Sequence, residues 1–500
     1  MQVPFIHKIS IFKSYSTVWI SYAFIFLFVY AAVSKLLEFK NFQAQLSQSP
    51  MISAYTEVIS YALLGIELFV ALLLALPKYR NVGLNGAFIL MVLFTTYLIV
   101  ILRFSSYIPC SCGGILEKMT WEVHLIFNTV LSLLLLIVLL LNATDTKKMA
   151  LRLFIICCIC VGFILLLFYY SEKKMHQENP FIRRYIQGAA TKTAGVSLPN
   201  NTLYFAGSDG STLYLADRNA PLYLFAYDTT LQSVKKIKIE LERDDFPFIS
   251  VQVKIKAPYF YLLDGTVPVI YKGEISNWKA KVLMADNHYY FSKSAIVDED
   301  QILFRAQKIE TNENVLGTFH LKDSFKINYY PALLEKQLDG FFDTDGLLAY
   351  DHKSQKGIYL YFYRNQYIVI DKNMQMVKSG KTIDTVSKAT IDIAYLPETG
   401  QRMLAKPPLV VNSNFTFSDS LVLIHSKRMG RFESKKMWQQ ASIVDLYNSS
   451  NNTYLSSIYI YHVDSYPLND LLLIDDCLYV LIGPNLHKYQ LNKLFYDVSK

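Results

Sequence analysis

Five apolar runs occupy the first third of the chain and then stop: Val18–Val33, Val58–Leu76, Val82–Leu102, Val123–Leu141 and Leu151–Tyr169. Each is close to the ~20 residues that a helix needs to cross the hydrocarbon of a bilayer. Backbone N–H and C=O groups have no water to bond in that layer, so an apolar run of this length can only be a helix. Composition agrees. The chain of 500 residues is 52% hydrophobic and only 18% charged, against about 25% charged in an ordinary soluble protein. The first run follows Lys8 and Lys13 and so also fits a signal peptide. With four more runs behind it, the topology needs it as a span.

Lysine and arginine in the short connections set the orientation. Lys8 and Lys13 precede the first run, Lys78 and Arg80 lie between the second and third, and Lys147, Lys148 and Arg152 follow the fourth. If all five runs span, these three regions share one side, which is then the cytoplasm. The connection carrying Cys110 and Cys112, and everything beyond Tyr170, falls on the other side, the periplasm of a bacterium. Lys173, Lys174, Arg183 and Arg184 run against this bias, and three agreeing connections outweigh them.

From about Phe181 the pattern changes to short runs rich in Tyr, Phe, Ile and Val, separated by Gly, Asp, Asn, Ser and Pro. Leu203–Ala206, Leu213–Ala216 and Leu222–Phe225 come at spacings of ten and nine. Tyr259–Leu263, Val267–Tyr271, Ile302–Phe304, Gly357–Tyr363, Tyr367–Ile370, Leu421–Ile424, Ile458–Tyr461, Leu471–Ile474 and Leu478–Ile482 behave alike. Strands at such spacing with turn signals between them indicate an all-β domain. Its length suits a β-propeller of six or seven four-stranded blades, with two tandem β-domains as the second reading. The expected organisation is a four-helix transmembrane domain over 1–145, a fifth transmembrane helix and linker over 146–184, and a periplasmic all-β domain over 185–500. A net charge of +8 with no basic block beside an aromatic platform argues against nucleic acid as a partner.

The residues that could carry chemistry gather around one short stretch. Pro109-Cys110-Ser111-Cys112-Gly113-Gly114 joins the third and fourth runs, and Trp121, His124 and Asn128 follow at spacings that share one helix face. A disulfide across one intervening residue closes a very small ring. Strained, exposed disulfides have oxidising potentials and tend to be catalytic or labile. His124, one turn into the next helix, is placed to lower a thiol pKa or shuttle a proton. A structural bridge or a partner-linked thiol is the competing reading, and no second Cys or His pair stands at metal-ligand spacing. Glu67, deep in the second run, is costly in lipid and marks a function or an internal pair. Lys35, near the outer end of the first run, is its natural counter-ion, although snorkelling to the headgroups explains it equally well. Arg103 reads as an interfacial anchor and Asn85 as helix-packing glue. Cys157, Cys158 and Cys160 read as small packing residues, and Cys477 as a buried lone thiol. The Asn-x-Ser/Thr matches at Asn200, Asn414 and Asn451 carry no weight.

On Ser34-Lys35-Leu36-Leu37-Glu38-Phe39, Gly65-Ile66-Glu67-Leu68 and above all Pro109-Cys110-Ser111-Cys112-Gly113-Gly114, the first ~145 residues resemble the MauE/DoxX family of redox-associated membrane proteins. The resemblance implies a four-helix bundle linked to periplasmic thiol–disulfide handling or to quinone-coupled oxidation. The fifth helix and the β-domain depart from the short family pattern. The expected function is a thiol–disulfide redox protein or accessory of the bacterial inner membrane. Cys110, Cys112 and His124 would do the chemistry, Lys35 and Glu67 would support the bundle or a quinone-like acceptor, and the β-domain would capture an exported protein or peptide client. The alternatives are a non-enzymatic, membrane-anchored binding propeller and an accessory subunit of a transport or export complex.

Overall fold

The apolar runs fold as helices α1 (Val3–Leu37), α2 (Thr56–Ala75), α3 (Arg80–Phe104), α4 (Trp121–Asn142) and α5 (Thr146–Gln177). All five are long and apolar enough to cross a membrane. The computed structural model describes residues 3–39, 42–43, 46, 52, 55–104, 119–177, 181–321, 325–395, 402–405 and 407–497, which form two units, Met1–Gln187 and Gly188–Lys500. The polar residues ahead of Val18 do not form a separate segment; they wind into α1. Thr120 caps α4, its hydroxyl accepting from the Val123 N–H at 3.4 Å.

In the first unit α1 packs on α2, α2 on α3, α3 on α4, and α4 returns to α1, while α5 lies against α3 and α4. Phe24, Phe28, Val70, Leu74, Leu84, Phe88, Met91, Leu135 and Leu139 fill the centre. Trp19, Phe26, Ile126, Ile137, Phe154 and Ile159 point outward and are exposed. That inside-out distribution is unstable in water and natural in lipid, where outward apolar side chains cost nothing and association rests on close packing. The α2–α3 hairpin shows how close: a Cβ at Gly83 would lie 2.7 Å from the Leu74 nitrogen. Polar side chains tie helices together. Asn142 Nδ2 donates to Thr17 Oγ1 at 2.8 Å, and the Thr95 and Ser132 hydroxyls lie 3.3 Å apart. Asn85, expected to bond across helices, instead donates to the Asn81 carbonyl one turn back in α3. Cys160 is buried and Cys157 packs on the core, as a packing role requires, but Cys158 is exposed on the lipid-facing side of α5.

The second unit is a six-bladed propeller. Blade 1 holds β2 (Leu203–Ser208), β3 (Thr212–Asp217), β4 (Tyr223–Asp228) and β5 (Val234–Lys238). Blade 2 holds β7 (Val251–Lys256), β8 (Tyr259–Asp264), β9 (Val269–Glu274) and β10 (Lys279–Ala285), with β6 (Glu240–Leu241) added parallel to β10. Blade 3 is β11 (Lys293–Ile296), β12 (Gln301–Gln307), β13 (Asn314–His320) and β14 (Lys326–Tyr330). Blade 4 is β15 (Gly346–Asp351), β16 (Lys356–Tyr361), β17 (Gln366–Asp371) and β18 (Met376–Lys381). A small hairpin, β19 (Ile393–Tyr395) and β20 (Arg402–Leu404), precedes blade 5, which is β21 (Asn412–Ser418), β22 (Leu421–Ser426), β23 (Ala441–Asn448) and β24 (Thr453–Tyr461). Blade 6 joins β25 (Leu468–Ile474), β26 (Cys477–Ile482) and β27 (Asn485–Leu491) to β1 (Ala190–Ser197), the first strand of the domain. Every apolar run named from the sequence overlaps one of these strands, though Leu222, Val267 and Phe362–Tyr363 fall just outside theirs.

The ring is closed. Each inner strand touches the next, β2 with β7, β7 with β11, β11 with β15, β15 with β21, β21 with β25, and β25 with β2. Closure is covalently indirect: β1 pairs antiparallel with β27 from Ala190–Leu491 to Ser197–Asn485. Leu203, Leu213 and Leu215 of blade 1 then pack on Tyr479, Leu481 and Leu486 of blade 6.

The two ends of the ring differ. Where the inner strands finish, the connections are short turns: 209–211, 229–233, 257–258, 275–278, 297–300, 352–355, 372–375, 419–420, 449–452 and 475–476. Leu231, Trp278, Gln355, Met374, Asp419, Asn452 and Asp475 take positive φ there. Aspartates anchor several of these turns, as Asp371 does by accepting from the Asn373 and Gln375 N–H groups at 2.9 and 2.8 Å. Where the inner strands begin, the long connections collect: 242–250, 286–292, 331–345, 382–411 and 427–440, the last containing α6 (Lys435–Gln440). Arg402 pins the β19–β20 hairpin onto this end, donating to the Asp339 carbonyl at 3.0 Å and the Thr311 carbonyl at 2.7 Å.

Candidate functional site

Three helices bring three of the expected residues together. Lys35 is in the last turn of α1, Glu67 in the middle of α2 and His124 in the first turn of α4. The Lys35 ammonium and the Glu67 carboxylate form an ion pair through Oε1. The Glu67 side chain is 1% exposed and that of Lys35 10%, so this pair is internal and Lys35 does not snorkel away. The ammonium also sits 5.8 Å from the centre of the buried Phe42 ring, a cation–π contact that compensates lost hydration. His124 is half-buried on the inward face of α4. Its ring stacks near Trp121, with centroids 6.3 Å apart and an interplanar angle of 30°.

The helix face expected of Trp121, His124 and Asn128 is the face α4 turns toward the bundle: the first two are half-buried and Asn128 is buried. Two polar atoms in this group lack a hydrogen-bond partner among the described residues, Glu67 Oε2 and His124 Nδ1. Buried polar atoms are nearly always paired, so these two stand out within the bundle. Cys110 and Cys112 lie outside the described residues. The ends of the elements that flank them, Phe104 of α3 and Trp121 of α4, are described, and His124 is within four residues of the latter.

Phe42, Gln43 and Ser60 add to the polar end of the bundle, Gln43 Nε2 donating to Ser60 Oγ at 3.1 Å. Nothing in the sequence marks them, because their place depends on how the chain returns between α1 and α2. Arg103 is exposed at the end of α3, as an anchor would be. Cys477 is half-buried, not buried, and its sulfur lies 3.5 Å from both Asp476 Oδ1 and Gln490 Oε1; burial pushes its thiol up. Asn200, Asn414 and Asn451 do structural work in turns and strand ends, Asn200 holding Asp217 at 2.8 Å. Among the described residues no group of three or more His, Cys, Asp or Glu side chains is arranged to hold a metal ion.

Residues 13–141 match the family described as methylamine utilisation protein MauE. The match covers the four-helix part and leaves α5 and the propeller outside it. No curated protein matches the chain. Among solved structures, a structural-genomics protein of unknown function from Bacteroides thetaiotaomicron VPI-5482 is similar over 61% of this chain and 72% of its own, with 11% identity and a TM-score of 0.37. YCF48 bound to D1 peptide is similar over 60% and 97%, with 11% identity and a TM-score of 0.34. The nidogen/laminin complex is similar over 53% and 81%, with 10% identity and a TM-score of 0.33.

Proposed function

We propose that this membrane protein exchanges thiols and disulfides with an exported client, using Cys110 and Cys112 as the exchanging pair. The observation that supports the reading is the buried Lys35–Glu67 pair inside the bundle, with His124 on the inward face of the first turn of α4, which the Cys110–Cys112 connection enters. In the oxidising direction a client thiolate attacks one sulfur of the Cys110–Cys112 disulfide, whose S–S bond breaks as a mixed disulfide forms. The second client thiolate displaces it, leaving an oxidised client and a reduced pair. His124 handles the protons, and the Lys35 ammonium stabilises the thiolate that leaves. Two electrons and two protons then reside on the pair, and reoxidation needs a two-electron acceptor. A quinone-class molecule supplies that chemistry in a membrane, and Lys35 and Glu67 are the residues that would hold it. The propeller captures the client at the end where its long connections gather. The protein sits in a bacterial inner membrane with its N-terminus in the cytoplasm and its propeller in the periplasm.

Trapping tests the chemistry. A Cys112→Ala or Cys110→Ala variant should accumulate a mixed disulfide with a client that disappears on reduction. In intact cells an impermeant thiol reagent should modify Cys110 and Cys112 only after mild reduction and leave Cys157, Cys158 and Cys160 untouched. Thiols at 110 and 112 that react equally before and after reduction sink the proposal. A second reading is favoured by the closed ring itself: an anchored binding propeller, or an accessory subunit of an export complex, with Cys110–Cys112 as a staple. It is separated by the same experiment, because a staple yields no mixed disulfide.

Orientation has its own test. A reporter fused after Lys174 should read periplasmic and one after Lys148 cytoplasmic. The same side for both rules out five spans.

A further inference from the structure

β1 is the outermost strand of blade 6 and pairs only with β27 among the described residues, which leaves its other edge open. The Leu198 N–H donates to the Pro484 carbonyl at 2.8 Å, and two residues back Val196 lies opposite Leu486. Opposed residues in an antiparallel pair alternate between exchanging hydrogen bonds and exchanging none. Val196 therefore bonds to β27, while the N–H and C=O groups of Gly195 and Ser197 turn to the open edge. Both residues are exposed. A bulge between Lys192 and Ala194 bounds this regular stretch on its other side. An open cavity of about 490 Å³ lies along it, lined by Lys192 to Ser197 of β1 and by Asn485 and His487 of β27.

A lysine that guards a sheet edge stands out from it. Lys192 is laid back over the strand instead. Its Nζ lies 3.1 Å from His487 Nε2, and its Cε lies 3.3 Å from the point where a Cβ on Gly195 would stand. That same Cβ would be 2.8 Å from His487 Cδ2, so glycine at 195 lets the ring and the lysine share one face of the blade. An ammonium only donates, so Nε2 accepts. Burial and then the Lys192 charge hold the His487 ring below its ordinary pKa, in the neutral form that this bond requires. His487 is 7% exposed, so the lysine is held by a fixed group. Lys192 forms no ion pair with a carboxylate among the described residues. On the other face of β1, Ala194 and Val196 pack on the apolar cluster shared by blades 1 and 6.

Open N–H and C=O groups two residues apart are what an added strand needs for its main-chain bonds. A residue of that strand opposite Gly195 puts its side chain on the face where the Lys192 ammonium lies, and its two neighbours fall on the face of Ala194 and Val196. A positioned cation without a carboxylate calls for an acid at the first place, and the apolar face calls for apolar residues beside it. We propose that an extended segment of a partner protein adds to β1 as a further strand of blade 6, with an acidic residue opposite Gly195 held by Lys192 and an apolar residue on either side of it. The site is separate from the cysteine chemistry, and its occupancy does not depend on it.

The test uses the full chain in detergent micelles and two probes, acetyl-threonyl-valyl-glutamyl-valyl-threonine amide and the same peptide with glutamine in place of glutamate. Hydrogen–deuterium exchange read over 190–197 should slow saturably as the glutamyl peptide is added, at the Gly195 and Ser197 amides. The glutaminyl peptide should bind about threefold more weakly, the size of effect an exposed ion pair allows. Lys192→Gln should abolish that preference and Lys192→Arg should keep it. Ser197→Pro removes one open-edge N–H and no bond to β27, and it should weaken binding of both peptides at least tenfold. A near-ultraviolet dichroism melt establishes that each variant keeps its folded ring. No saturable slowing over 190–197, equal affinity for the two peptides, or unchanged binding in folded Ser197→Pro overturns the proposal. Slowing that grows with protein concentration in the absence of peptide assigns the edge to a second copy of the chain and overturns it as well.

Discussion

Ending the chain before Asp470 is expected to unfold the whole propeller, not one edge of it. The cut removes β26, β27 and all but the first two residues of β25, and with them both partners that close the ring: β27, on which β1 pairs, and β25, which lies against β2. The Phe205 N–H loses the carboxylate it donates to. Leu203, Leu213 and Leu215 lose the apolar surface of Tyr479, Leu481 and Leu486. The buried side chains lost include Leu471, Leu473, Leu478, Val480, Leu481, Ile482 and Leu486. At about 1.5–3 kcal/mol each, they match or exceed the ~5–15 kcal/mol by which a domain is stable. A near-ultraviolet dichroism melt of the shortened full-length membrane protein should show no cooperative transition from the β-domain. Deleting only 190–197 should lower the midpoint while leaving a transition, because blade 6 keeps its three strands. A truncated chain that melts with most of its original amplitude would mean the blades are independent units, as in an open array.

Lys35→Met is expected to destabilise the helical bundle by about 3–5 kcal/mol, the usual cost of leaving one member of a buried ion pair without its partner. The pair itself is weak evidence of net stabilisation, since both charges were desolvated to make it. Lys35→Met/Glu67→Leu should therefore recover most of the loss, and a double-mutant cycle should return a coupling of a few kcal/mol, of order the single-mutant penalty. Unfolding followed by far-ultraviolet dichroism in mixed micelles measures all three. Equal and additive losses would show that the two side chains act apart. The cycle also separates structure from chemistry. If Lys35 and Glu67 take part in thiol exchange, the double variant regains stability without regaining the mixed-disulfide adduct.

A milder consequence concerns pH. Lys254 has its folded-state pKa depressed to about 8 from 10.5. The folded state binds its proton less well than the unfolded chain does, so stability rises as pH climbs from about 8 toward 10.5 and the penalty is fully present below 8. Lys254→Met should raise the melting midpoint at pH 7, and the gain should fade as pH approaches 10.5. A gain that does not change with pH would trace to packing instead.

Part of the polar centre of the bundle was legible residue by residue and part was not. Glu67 is conspicuous because a carboxylate in an apolar run has few solutions, and Lys35 is the nearest cation at a compatible depth. That they bond to each other, and that Phe42 rather than lipid headgroups covers the ammonium, depends on the packing of α1 against α2. In the propeller, the blade repeat is present but faint. Tyr214-Leu215-Ala216-Asp217 and Tyr261-Leu262-Leu263-Asp264 each end the second strand of a blade, and each is followed by proline four residues on, at Pro221 and Pro268. Asp264 shows why the aspartate recurs: it is buried and accepts from the N–H groups of Ile249, Ser250, Thr266 and Val267. Two copies among six blades are too few to read as a period.

The amino-acid sequence by itself determined the five apolar helices and the β class of the remainder. Both follow from local rules: the length of an apolar run against the thickness of a bilayer, and alternation bounded by turn residues. It did not determine that there are six blades, that Ala190–Ser197 leaves its neighbours to complete the last of them, or that long connections gather at one end. Ala190–Ser197 is only partly buried and carries no aromatic, leucine or isoleucine side chain, because an outermost strand covers one edge and little core. Its pairing is stabilised by closure, a property of the ring as a whole.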